Sequence, residues 1–90
     1  MIKAVVDVRK GIIALDAELH ADLESRLLTE GSQQEDVWGV NLFLGKKRGD
    51  WIEYTAPINV RPSMDNRSMT IIDPDTRAKI SRIVSQLITE

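Results

Sequence analysis

Residues 59–68 form a short segment rich in side chains that could bind an anion, with two arginines, two asparagines and two serines in ten positions. Arg61 and Arg67 could form planar forks for a phosphate or carboxylate group, because a guanidinium presents several N–H donors in a fixed geometry. The polar side chains that would complete the hydrogen bonds are Asn59, Asn66 and Ser68. The same side chains could instead hold an irregular loop in place by bonding its backbone, and both interpretations stay open.

A second group with chemical potential surrounds the one histidine of the chain, His20. An extended backbone would place it on one face with three acidic residues at alternating positions, Asp16, Glu18 and Asp22, as oxygen and nitrogen ligands for a metal. A helix beginning near His20 would break that arrangement, and the paired histidines typical of a zinc enzyme are missing. We therefore predict no metal and no cofactor.

His20 also supports the hypothesis of a small enzyme of unidentified class. A histidine changes its charge near neutral pH and can act as a general acid or base. Arg61 or Arg67 would then stabilise a developing negative charge. The chain has no cysteine and no recognisable nucleophile motif, so we assign no catalytic residue.

A third hypothesis, a nucleic-acid-associated regulator, rests on the basic stretch 46–48, which lies near Phe43, Trp51 and Tyr54 in the sequence. Cations next to aromatic rings are typical of proteins that bind single strands. Three cations are a weak electrostatic footprint in a chain of net charge −2 and pI about 5.4. A solvated hairpin tip is therefore favoured, and neither nucleic acid nor an anionic membrane is an expected partner.

The composition predicts one small soluble domain over residues 1–90. Hydrophobic residues make up 42% of the chain and charged residues 29%, which is close to average globular usage. The longest apolar run is far shorter than the ~20 residues that a membrane-spanning helix needs. The start of the chain lacks the pattern of a signal peptide, so we expect a cytoplasmic location.

Hydrophobic periodicity predicts the elements that position these groups. Period-two alternation predicts strands at 2–8 and, across a turn at Gly11, at about 11–18. A stripe of leucines that ends near Gly31 predicts a helix over about 20–30.

The second half of the chain predicts three further strands and a helix. Residues 37–44 are too apolar for a solvent-facing strand and are expected at the centre of the sheet. A hairpin leads into 51–55, and a short strand near an edge is expected at 58–61. Asp73-Pro74 predicts the start of a helix over about 74–88. The predicted fold class is α+β, with two layers and a mainly antiparallel sheet of four to five strands carrying two helices, in the order β-β-α-β-β-β-α.

Five short motifs together resemble a family of small bacterial proteins of unknown function. They are ELHAD at 18–22, GSQQEDVWGVN at 31–41, WIE at 51–53, INVRP at 58–62 and NRS at 66–68. The resemblance implies that seven polar residues belong to the pattern of the family: His20, Asp22, Asn41, Asn59, Arg61, Asn66 and Arg67. It implies no reaction, ligand or partner.

The sequence departs from this family in two respects. Family members often carry an additional N-terminal segment ahead of the position of Lys3, and if that segment covers apolar surface, its absence would favour self-association. Asp16 stands where a glycine is expected, which weakens its inclusion in a shared metal cluster.

The leading hypothesis is a non-catalytic binding or interaction module that forms homo-oligomers. Its polar loop 59–68 would take an anionic ligand or a protein partner, with Arg61 and Arg67 holding the anionic group. The candidate site also includes His20 and Asn41, which belong to the family pattern.

Overall fold

The computed structural model describes residues 1–88 and has an α+β fold of four strands and two helices. The strands are β1 (Ile2–Asp7), β2 (Ile12–Leu15), β3 (Val37–Leu42) and β4 (Ile52–Glu53). The helices are α1 (His20–Thr29) and α2 (Pro74–Leu87). All strand pairs are antiparallel, in the order β2-β1-β3-β4. The predicted class is confirmed, and β3 lies at the centre of the sheet together with β1.

The two helices pack on opposite faces of the sheet. Side chains at alternate positions of a strand point to opposite faces, and Val5 of β1 packs with Leu23 and Leu27 of α1. Its neighbour Val6 belongs to a separate cluster with Ile80 and Val84 of α2. The fold therefore has three layers rather than the predicted two, because β1 and β3 carry apolar side chains on both faces and each face needs its own cover.

The prediction of a strand at 58–61 is wrong. Pro57–Asn59 forms a short 3₁₀ turn, and a second one follows at Pro62–Met64. Proline fixes φ and lacks the N–H that a sheet ladder needs, which favours a turn at both positions. The sheet therefore has four strands within residues 1–88.

Strand β2 ends earlier than the alternation of the sequence predicts. Asp16 follows Leu15 with a φ of 71°, in the left-handed region, which interrupts the extended conformation. This position is the one where the family resemblance leads us to expect a glycine, the residue that adopts such a φ without steric cost.

The predicted end of α1 near Gly31 and the predicted start of α2 at Asp73-Pro74 are both confirmed. At the end of α1 the N–H of Gly31 bonds to the carbonyl of Leu28 and the N–H of Ser32 to that of Leu27, the pattern of a Schellman motif with Gly31 at φ 104°. At the start of α2 the Asp73 carboxylate accepts hydrogen bonds from the N–H and hydroxyl of Thr76, which lower the pKa of Asp73.

A buried carboxylate fixes the connection between β1 and β2. Asp7 accepts hydrogen bonds from the N–H groups of Arg9 and Lys10 and, at 2.6 Å, from the hydroxyl of Ser32. Burial by itself would raise the pKa of Asp7, but the three hydrogen bonds outweigh it and the pKa is lowered. Among residues 1–88, neither helix combines the length and the apolar character that a bilayer-crossing helix requires.

Candidate functional site

Asn59 places its side chain in the interior, where it completes the hydrogen bonding of the sheet. Strand β4 pairs only with Asn41 and Leu42, so it does not reach Gly39 of β3. The Asn59 amide takes the place of a strand there: its Oδ1 accepts from the Gly39 N–H at 2.8 Å, and its Nδ2 donates to the Gly39 carbonyl at 2.9 Å. Nδ2 also donates to the carbonyl of Met69 at 3.0 Å. Asn59 is fully buried and holds the loop against β3.

Asn66 holds the other end of the same loop. Its Nδ2 lies 2.8 to 3.1 Å from the carbonyl oxygens of Asn59, Ser68 and Thr70, and its Oδ1 accepts from the N–H of Ile72. Its backbone forms an isolated antiparallel bridge with Arg61. Both asparagine side chains therefore bond backbone groups. Of the two interpretations that the sequence left open, these two residues follow the one in which they hold the loop in place.

Arg61 is 8% exposed and lies between a carboxylate and a ring. Its Nη2 is 3.1 Å from Oε2 of Glu24, and its guanidinium carbon lies 4.8 Å from the centre of the Trp38 ring. Burial lowers the pKa of Arg61 from its ordinary value, and the Glu24 carboxylate opposes that shift. Nε and Nη1 have no hydrogen-bond partner within the described part of the chain. The neighbouring residues Arg67 and Ser68 are exposed.

His20 is the first residue of α1 and is 5% exposed. Its Nε2 lies 2.9 Å from the carbonyl oxygen of Val40, and since a carbonyl can only accept, Nε2 must donate. The ring lies against Gly39, where an added Cβ would come within 3.2 Å of its Cδ2 and 2.6 Å of the Cβ of Ala56. The missing side chain at Gly39 thus lets the helix and the 56–58 segment approach the sheet closely.

Beside this ring the α1 face of the sheet opens into a cavity of about 370 Å³, the His20 pocket. Lys3 and Asn41, which are direct cross-strand neighbours on β1 and β3, form its floor. The residues around this floor are Met1, Leu19, His20, Ala21, Pro57 and Ile58. The pocket is therefore largely apolar, with few polar groups, as ligand-binding cavities generally are.

Asn41 contributes a hydrogen-bond acceptor that the described residues leave unpaired. Its Nδ2 donates to Oε1 of Glu53 at 2.7 Å and to the carbonyl of Thr55 at 3.2 Å. Because both of these partners only accept, they determine which end of the amide is nitrogen. The oxygen Oδ1 is buried and has no partner within residues 1–88.

Two of the three cations of the basic stretch 46–48 contact aromatic rings of the same chain. Lys46 lies over the Phe43 ring at 4.5 Å, and Arg48 lies over Trp51 at 4.9 Å while donating to the carbonyl of Ser85. Trp51 is 2% exposed in the α2-side core and offers no open surface on which a base could stack.

The structure separates the predicted site residues into different regions. His20 and Asn41 share the His20 pocket, whereas Arg61 lines another cavity and Asn66 a third. The enzyme hypothesis joined His20 with Arg61 or Arg67, and none of the three cavities described within residues 1–88 is lined by His20 together with either arginine. The sequence analysis missed Lys3 and Leu19. Lys3 joins the site through the β1–β3 register, which places it beside Asn41 and which no pattern in the sequence reveals.

The fold and the pocket define a small α+β domain with a ligand-sized cavity between the sheet and the start of a helix. The chain belongs to the family described as "Protein of unknown function (DUF5674)", whose model matches residues 1–87. No curated protein matches the chain. No solved structure matches it either. Within residues 1–88, no group of three or more histidine or acidic side chains is placed to hold a metal ion.

Proposed function

We propose that this domain is a non-catalytic binding module that takes a small ligand in the His20 pocket. The observation that carries the proposal is the combination of apolar walls with a few polar groups in a cavity of about 370 Å³. Pockets for small ligands typically measure roughly 300–1,000 Å³ and have this mixture of apolar and polar lining. The binding energy would come from apolar contact, and the polar floor would orient the ligand.

The walls of the pocket are held in place independently of any ligand. Asn59 fixes the segment after Ile58 through its three hydrogen bonds to Gly39 and Met69. His20 fixes the start of α1 through its hydrogen bond to Val40. A preformed pocket costs little conformational entropy on binding, which supports a binding role.

A non-catalytic role is supported by the chemistry of the residues that line the pocket. None of the eight is a serine, threonine, cysteine, aspartate or glutamate, and besides His20, Lys3 is the one lining residue whose side chain could act as a nucleophile. His20 uses Nε2 to anchor its own helix to Val40. Catalysis by a histidine general base usually needs a nucleophile or a water-activating partner within hydrogen-bond reach.

The proposal is tested by a fragment screen with protein-observed NMR. Ala21 is exposed at the mouth of the pocket, so Ala21→Phe should fill the cavity without disturbing the core. Ala78→Phe places the same ring on an exposed position of α2 and is the matched control. We expect fragments that shift the resonances of His20 and Asn41 in the wild type and in Ala78→Phe, with binding lost in Ala21→Phe. Absence of such fragments, or their retention in Ala21→Phe, would contradict the proposal.

A second candidate function, binding of an anionic group at Arg61, is supported by the unpaired Nε and Nη1 of this guanidinium. Arg61 lines a separate cavity of about 370 Å³ beside the loop. Buried donors without partners are uncommon, and a carboxylate or phosphate would supply acceptors once the loop moves to expose these two nitrogens. Glu24 already neutralises much of the charge, which makes this the weaker candidate.

Thermal unfolding in phosphate, sulfate and acetate tests the second candidate. An anion at about 100 times its dissociation constant should stabilise the fold by roughly 2.7 kcal/mol. The shift should disappear in Arg61→Lys, which keeps the charge but loses the fork, and persist in Arg67→Lys. Equal shifts in both variants would indicate a general salt effect rather than a site.

A further inference from the structure

We propose that the outer edge of strand β2 binds the same edge of a second copy of this chain, so that two sheets join across a twofold axis. This edge is separate from the His20 pocket, none of whose lining residues belongs to β2. An edge dimer would be the homo-oligomer that the sequence leads us to expect. Backbone groups of β2 that have no partner within residues 1–88 carry the inference.

Strand β2 lies at the outside of the sheet and, within residues 1–88, pairs with β1 alone. The N–H of Asp16, the residue that follows β2, donates to the carbonyl of Lys3. Because hydrogen-bonded and non-hydrogen-bonded positions alternate along an antiparallel pair, the N–H and carbonyl groups of Ile13 and Leu15 point away from β1. These groups form no hydrogen bond within the described part of the chain. The edge therefore offers donors and acceptors to an incoming strand.

The opposite edge of the sheet is closed, unlike the edge at β2. There β4 is only two residues long and ends in the charged Glu53, and the Asn59 side chain bonds both backbone groups of Gly39. Natural sheets protect an edge by such means, or with lysine, proline or a bulge. The four residues of β2 are Ile-Ile-Ala-Leu, with no charge and no proline, and Ile12 is 37% exposed. The edge at β2 is short but otherwise unprotected.

A second copy fits this edge because the edge is complementary to itself. When two β2 strands run antiparallel across a twofold axis, Ile13 of each copy can lie opposite the partner's Leu15, and the two residues exchange N–H···O bonds. In this register every outward-facing backbone group of both strands is paired. The side chains of Ile13 and Leu15 already pack against the core on the α2 side, so the paired side chains would extend that apolar layer across the interface.

The charges at the two ends of β2 select the antiparallel arrangement. Lys10 precedes the strand, while Asp16 and Glu18 follow it; all three are exposed, and none forms an ion pair within residues 1–88. Antiparallel pairing brings the basic end of one copy to the acidic end of the other, whereas parallel pairing would bring like charges together. A strand of four residues makes a small contact, so we expect a weak dimer, in the class of interfaces below about 1,200 Å².

Sedimentation equilibrium over about 10 μM to about 1 mM protein, combined with amide exchange measured by NMR, tests the interface. We expect a monomer–dimer equilibrium in which the amides of Ile13 and Leu15 exchange severalfold more slowly at the high concentration. A dimer in which these two amides exchange equally fast at both concentrations would place the interface elsewhere and overturn the proposal. A chain that stays monomeric throughout would also overturn it, and would leave this edge to a strand of another protein.

Charge reversal tests the orientation of the two copies. Lys10→Glu and Glu18→Lys should each raise the dimer dissociation constant about fivefold at low salt, because each places like charges together at both ends of the interface. An equimolar mixture of the two variants should regain the dimer, since every end contact then joins opposite charges.

Lys47→Glu is the matched control for Lys10→Glu. It makes the same change in net charge at an exposed position of the β3–β4 connection, and it should leave the dissociation constant within about twofold of the wild-type value. Equal weakening by Lys10→Glu and Lys47→Glu, or no recovery of the dimer in the mixture of Lys10→Glu with Glu18→Lys, would overturn the antiparallel pairing.

Discussion

Loop 59–68 and the His20 pocket both contain asparagine, but the hydrogen bonding of its side chain is complete only in the loop. In the loop, both ends of each asparagine amide bond backbone groups, whereas Arg61 pairs with Glu24 through Nη2 alone. In the pocket, Asn41 keeps a buried oxygen unpaired beside an apolar cavity. A high density of polar residues therefore does not by itself locate a binding surface, because the segment with more of them uses them to hold its own shape.

The largest effect is expected from Asn59→Ala. This substitution leaves the N–H and carbonyl of Gly39 without partners in the interior, and it removes one of the two hydrogen bonds that the Met69 carbonyl accepts. We expect a loss of about 3 kcal/mol in the free energy of unfolding, measured by urea denaturation. Ser68→Ala, at an exposed position of the same loop, should cost less than about 0.5 kcal/mol. A loss below about 1 kcal/mol for Asn59→Ala would mean that the loop does not depend on this amide.

The two arginines of the loop should differ clearly. Arg61→Ala removes a buried contact with Trp38 and leaves Glu24 without its ion pair, so we expect a loss of about 2 kcal/mol. Arg67→Ala should change stability by less than about 0.5 kcal/mol, because Arg67 is exposed. Equal effects in thermal or urea unfolding would show that burial does not distinguish these two side chains.

Asn41→Ala is expected to change the stability of the fold much less than Asn59→Ala does. The variant loses two hydrogen bonds, one of them to the exposed Glu53, but it also removes an unpaired buried oxygen. We expect a cost of about 1 kcal/mol or less in urea unfolding. A stability loss as large as that of Asn59→Ala would place Asn41 in the scaffold rather than in the site.

The smallest effect is expected from Asp16→Gly, and it has the opposite sign. Asp16 adopts a φ of 71°, which glycine reaches without the steric cost that a Cβ imposes. We expect a stabilisation of about 0.5 kcal/mol and unchanged binding of the fragments that occupy the His20 pocket, measured by urea unfolding and NMR titration. A substantial loss of binding would indicate that the Asp16 carboxylate contributes to the pocket floor next to Lys3.

Local signals in the sequence determined most of the secondary structure. Asp73-Pro74 marked the start of α2, and Gly31 the end of α1, because capping chemistry depends on neighbours within a few residues. Alternation identified β1 and β3 but placed a strand at 58–61, where Pro57 and Pro62 begin turns instead. These local signals could not show that the Asn59 side chain, rather than a strand at 58–61, bonds the backbone of Gly39.

The sequence by itself determined the class of fold, the two helices and the membership in a family of unknown function. Only the tertiary structure decided that the helices cover opposite faces, that Arg61 meets Glu24 and that Lys3 lies beside Asn41. These contacts join residues far apart in the chain, and a periodic pattern contains no information about strand register or about the partner of a side chain. Whether an asparagine pins a loop or faces a cavity is therefore a property of packing, and residue type alone does not reveal it.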